Sequence, residues 1–142
     1  MFSFDTRLLK DCEVLGKFEL CHVLLMHDAN YPWCVLVPDR ENAVEVFDLS
    51  NDDQKQLNTE SNKLLAFLKK EFKADKMNVA ALGNVVSQLH VHHIVRYTND
   101  IAWPKPVWGA FPAKSYSDDE LNSLKTKLCN GFNSLGLGFQ SK

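Results

Sequence analysis

The ten residues QLHVHHIVRY, Gln88 to Tyr97, constrain this chain more than any other stretch. They contain no glycine or proline, are rich in β-branched residues, and alternate polar with apolar side chains, which is the pattern of a β-strand. On a strand Gln88, His90, His92, Ile94 and Arg96 share one face, while Leu89, Val91, His93 and Val95 share the other. His90 and His92 then stand side by side, roughly 7 Å apart at two residues' rise. His93 points away from both.

Around this strand the chain reads as one α+β domain with a largely antiparallel sheet. TRLLKDCEVL is a short opening helix. KFELCHVLLMH and WCVLVP form a hairpin through the turn formers of DANYP, and VEVFDL is a third short strand. Ser50 with Asp53 starts a long helix whose apolar stripe is Leu57, Leu64, Leu68 and Phe72. KMNVAAL and QLHVHHIVRY are two more strands around a Gly83-Asn84 turn. Ser117 with Glu120 caps a closing helix that Gly131 should stop. The sheet therefore has five strands with helices packed on it, in a single domain spanning 1–142, with a core at 17–97 and a C-terminal strap and helix at 98–142.

The chain has 142 residues, 45% of them hydrophobic and 24% charged, enough to bury a core. Its formal net charge of −2 offers no field for nucleic acid. The opening residues carry no secretory signal pattern, and no apolar run is long enough to span a membrane. Cys12, Cys21, Cys34 and Cys129 are scattered, which fits free thiols in a reducing compartment. The expected location is the cytoplasm.

The histidine pair has three readings. It could be solvated or hydrogen-bonded strand residues. It could be two metal ligands, with Asp28, His22, His27 or Cys34 as a third, although no spacing singles one out. It could also be a nucleophile with a helper. A neutral imidazole attacks phosphorus when one ring nitrogen holds the lone pair and the other donates its proton to a fixed acceptor.

The segment GNVVSQLHVHHIVR resembles the signature of the histidine triad (HIT) family. LLMHDANYPWCVLVP resembles that family's early hairpin, and WPKPVWG is similar to a bacterial subgroup within it. The resemblance implies a HIT-like fold, a homodimer with sheets continuous across the interface, and a nucleotide substrate with no metal cofactor. It implies cleavage at an α-phosphate, of a dinucleoside polyphosphate or nucleoside phosphoramidate type of substrate, through a nucleotidyl-histidine on His90. By the same resemblance His92 hydrogen-bonds phosphate or leaving group, Asp28 binds ribose hydroxyls, His27 lies beside the nucleoside and Asn84 contacts phosphate.

Two positions depart from the family pattern. Gln88 stands at the first triad position, where its amide would take over part of the orienting role. Trp33 stands where a histidine commonly precedes the LVxP strand. A nucleotide-binding regulatory protein with little catalysis, or a His-ligated metalloprotein, are the alternative readings. His93 is expected to be a buried structural residue. Arg96 either meets phosphate or pairs with an acid, and the tryptophans of the strap pack on the core or wall a base pocket.

Overall fold

Every strand pairing in the chain is antiparallel, so short turns and long returns build the whole sheet. The structure is a computed structural model that describes residues 1–142. Its elements are α1 (Thr6–Asp11), β1 (Cys12–Lys17), β2 (Cys21–Met26), β3 (Trp33–Pro38), α2 (Asn51–Glu71), β4 (Lys76–Ala80), β5 (Val91–Arg96), α3 (Asp118–Phe132) and β6 (Gln140–Ser141). They form one six-stranded sheet in the order β4-β5-β3-β2-β1-β6.

The α+β antiparallel architecture agrees with the sequence reading, and the strand inventory differs in three places. VEVFDL is not a strand: Val46–Asp48 forms one 3-10 turn. The Asp48 carboxylate accepts from the backbone N–H of Val44 and Glu45, at 3.0 and 2.9 Å. That local bond competes with ladder formation and leaves Phe47 in solvent. The opening helix lasts only six residues before the chain extends into β1. A two-residue β6 then pairs with β1, so the sheet draws on residues on both sides of 17–97.

Helix caps follow the sequence closely because they are local. Ser50 accepts from Asp53 N–H and Ser117 from Glu120 N–H, each at 3.1 Å. Gly131 does not end α3, which runs on to Phe132. Its role is close approach: the Phe67 ring lies where a Cβ on residue 131 would stand.

The two helices cover one face of the sheet. Leu57, Leu64 and Leu68 of α2 and Leu128 and Phe132 of α3 pack on Val23, Leu25, Cys34, Leu36, Val91 and Val95. Two polar groups of α2 are buried with them. The Glu60 carboxylate accepts from Leu20 and Cys21 N–H, both at 2.9 Å, and so closes the β1–β2 turn. Ser61 Oγ lies 2.7 Å from His93 Nε2, while His93 Nδ1 donates to Val91 O at 2.9 Å. Burial pushes the His93 pKa down to about 4. The four cysteines are unpaired.

The opposite face carries Leu24, Trp33, Val35, Val37 and Ile94. It is covered by Leu8, Val86 and the strap residues Ala102 and Val107. Arg96, only 1% exposed, holds that strap down. Its guanidinium donates to both Asp100 oxygens (2.8 and 3.1 Å), to Asn78 Oδ1 (2.8 Å) and to Lys105 O (2.8 Å). It also lies between the Tyr31 and Trp103 rings. With those donors committed, Arg96 is a structural ion-pair residue rather than a phosphate ligand.

Two stability outcomes follow from these buried groups. Asp100→Ala strands a buried guanidinium and should cost roughly 3–5 kcal/mol in urea unfolding. His93 stays neutral in the native state while the unfolded chain takes up a proton below its ordinary pKa of 6.5. Stability should therefore fall as pH drops from about 6.5 toward 4, by on the order of 3 kcal/mol from His93 alone. Unfolding curves of His93→Gln should lose that part of the slope.

Candidate active site

His90 ends the ten-residue connection between β4 and β5 and lies one residue before β5 begins. The expected tight Gly83-Asn84 turn is instead this longer loop, which folds back over the histidines. Gly83 packs against the His90 ring: a Cβ there would lie 3.5 Å from His90 Cε1 and 2.6 Å from Val86 O. Only a residue without a side chain lets the loop approach that closely.

The tautomer of His90 follows from its neighbour. His90 Nδ1 is 2.7 Å from the backbone carbonyl of Gln88. A carbonyl can only accept, so Nδ1 carries the proton and in the neutral ring the lone pair is on Nε2. The side chain is otherwise nearly enclosed, at 6% exposure. This is the arrangement an imidazole nucleophile requires.

His92 has the opposite tautomer. Trp33 Nε1–H donates to His92 Nδ1 at 3.0 Å, so the proton of the neutral ring sits on Nε2. The His90 and His92 rings meet edge-on with centroids 4.9 Å apart. Trp108 packs on His92 from the strap at 5.2 Å and on Trp33 at 6.0 Å. Burial first, and then the neighbouring His90, push the His92 pKa down to about 4. In the neutral pair the lone pair of His90 is on its Nε2 and the N–H of His92 is on its Nε2, on the side of the Leu82 carbonyl.

A cavity of about 90 Å³ opens on His90, lined also by Gly83, Asn84, Ser87, Gln88 and Glu45 among others. It shares Val44, Ser87 and Gln88 with a wider groove of about 410 Å³ walled by Met1–Asp5 and Glu41–Val44. The Gln88 amide builds that wall. Its Nε2 donates to Ser3 O and its Oε1 accepts from Asp5 N–H, both at 2.8 Å. Gln88 therefore orients His90 through its backbone oxygen, while its side chain clasps the amino-terminal segment. No motif in residues 1–5 signals that role.

Asn84 and Gln88 are thus brought to His90, and His92 stands beside it; Asp28 and His27 sit in the loop between β2 and β3. The strand register sets the end of β2 level with Ile94, four residues and roughly 13 Å from His90. Asp28 Oδ1 accepts from Asn30 and Lys114 N–H at 3.0 and 3.2 Å, tying the β2–β3 loop to the chain before α3. His27 Nε2 lies 3.8 Å from Glu13. No group of three or more His, Cys, Asp or Glu side chains is arranged to hold a metal ion. No helix is long and apolar enough to cross a membrane.

The model of the HIT domain family matches residues 7–99. Among solved structures, a histidine triad protein of Marinobacter aquaeolei VT8 is 46% identical, with a TM-score of 0.93 over 96% of this chain and 99% of its own. One from Bradyrhizobium japonicum is 45% identical, with a TM-score of 0.90 over 92% and 97%. One from Sinorhizobium meliloti 1021 is 41% identical, with a TM-score of 0.89 over 92% and 97%. No curated protein matches the chain.

The split role of Gln88 has a direct consequence. In Gln88→Ala the amino-terminal residues should become open to hydrogen exchange, while ¹⁵N spectra should still show His90 protonated at Nδ1, because its acceptor is main chain. Loss of that proton would make the amide, not the carbonyl, the orienting group.

Proposed function

The chain belongs to the HIT domain family, and on that premise we propose that it is a nucleotidyl hydrolase or transferase acting at an α-phosphate through a nucleotidyl intermediate on His90. The observation that carries this reading is the Nδ1–H bond from His90 to Gln88 O, which leaves Nε2 bare beside the small cavity. His90 Nε2 attacks phosphorus and the leaving group departs. Water or another acceptor then displaces the histidine. The Gln88 carbonyl accepts throughout and stabilises the positive charge that the ring gains on attack.

Around that step, His92 Nε2–H and Asn84 donate to the phosphoryl oxygens. Asp28 uses one oxygen to hold its own loop, which leaves Oδ2 for ribose hydroxyls. His27 flanks the nucleoside. In this reading the protein works in the cytoplasm as a homodimer. The outer strand β4, with Val79 51% exposed, offers an edge for continuing the sheet into a second copy.

Intact-mass spectrometry after rapid quenching with an adenosine dinucleotide tests the reading. Wild type should gain one adenylyl group and His90→Ala none, with turnover down about 10³-fold or more. If both bind nucleotide equally and neither forms adduct nor releases AMP, the protein is a nucleotide-binding protein and not an enzyme of this kind.

A further inference from the structure

Trp33 is the one partner of the His92 Nδ1 atom, and an indole N–H can only donate. A second proton on His92 Nδ1 would set one N–H against another. The ring is therefore restricted to one neutral form, with its proton on Nε2. The pocket enforces this further: His92 is 4% exposed, Trp33 is 7% exposed, and Trp108 closes the edge. From Nε2 the ring can donate a hydrogen bond. It cannot give the proton away, because the product would be an imidazolate, a stronger base than the amine that would leave, in a buried site.

No other group on this face takes over as an acid. His90 is committed as nucleophile, with its Nδ1 proton on Gln88 O. His93 lies on the helix face, bonded to Ser61 and Val91. The Asp5 carboxyl is held below the usual carboxylate range by its hydrogen bonds to Arg7. Glu45 stands at the outer wall of the cavity. Gln88, Asn84 and Trp33 do not ionise in the relevant range.

We infer that Trp33 is a specificity-determining positioning residue: by holding His92 as a fixed neutral donor it confines the site to phosphoanhydrides, whose leaving group departs as an oxyanion, and disfavours phosphoramidates. This rests on the hydrolase reading above. In the favoured reaction the His90 Nε2 lone pair forms the N–P bond, the P–O bond breaks, and its electron pair leaves with the phosphate oxygen, which His92 Nε2–H can stabilise. Water then attacks phosphorus, the N–P electrons return to Nε2, and the water's proton passes to solvent. In a phosphoramidate the P–N electrons would leave on nitrogen, and an amine needs a proton at that moment. The site does not supply one.

The test compares two probes that deliver the same adenylyl group, diadenosine tetraphosphate and adenosine 5′-phosphoramidate, under single-turnover conditions at saturation. Wild type should form the His90 adduct at least about 100-fold faster from the anhydride, the span a missing general acid commonly produces. Trp33→His, which can accept as well as donate, should narrow that ratio at least tenfold. Trp33→Phe should accelerate the phosphoramidate as pH falls, since His92 can then take a proton at Nδ1.

¹⁵N spectra of histidine-labelled wild type should show His92 Nδ1 unprotonated from pH 5 to 8, a readout independent of turnover. Equal rates from the two probes in wild type, an unchanged ratio in both folded variants, or a protonated Nδ1 would each overturn the inference and leave the hydrolase reading standing. Failure of wild type to form adduct from either probe would instead remove the hydrolase reading, and this inference with it.

Discussion

The pairing of β3 with β5 is the constraint on which the rest depends. Val35 lies opposite His92 and Cys34 opposite His93, so successive histidines are sent to opposite faces of one sheet. A slip of one residue would bury His92 among the helices and expose His93 to the site. Three buried contacts resist that slip. Ser61 receives His93 on the helix side, Trp33 receives His92 on the other, and Arg96 anchors the end of β5 to Asp100. Each would lose its partner in the shifted register, leaving buried polar groups unpaired.

On the same sheet face the His90 ring is positioned by main chain more than by side chains. The Gln88 carbonyl sets the His90 tautomer, and the absent side chain at Gly83 lets the loop lie against the ring. Neither contact is made by an ionisable group, so main chain alone sets the tautomer of the neutral His90 ring. His92 is set by a side chain, but a neutral one. The pair is two imidazoles in complementary tautomers, one offering a lone pair and one an N–H, in surroundings that disfavour charge on His92.

Local signals were legible in the chain and long-range ones were not. Ser50 and Ser117 cap helices through bonds three residues away, and the stripe Leu57, Leu64 and Leu68 is buried as its spacing implies. VEVFDL has strand composition, yet the Asp48 carboxylate captures the backbone and turns it into a 3-10 turn. Gly131 looked like a helix stop because its contact, the Phe67 ring, comes from another helix 64 residues earlier in the chain. Gln88 looked like an orienting amide, but its amide is spent on Ser3 and Asp5, more than 80 residues away.

By itself the sequence determined the class of the fold and the faces on which the strand's histidines stand. Alternation along QLHVHHIVRY separates His90 and His92 from His93, since a strand's side-chain period is two whatever surrounds it. Only the tertiary structure decided which nitrogen of each ring carries the proton. That choice depends on what lies within 3 Å of each ring atom: Gln88 O bending back over His90, and Trp33 arriving from β3 in the register of the sheet. Hydrogen bonds between residues distant in sequence have no signature in composition or spacing, because they exist only once the backbone has brought donor and acceptor together.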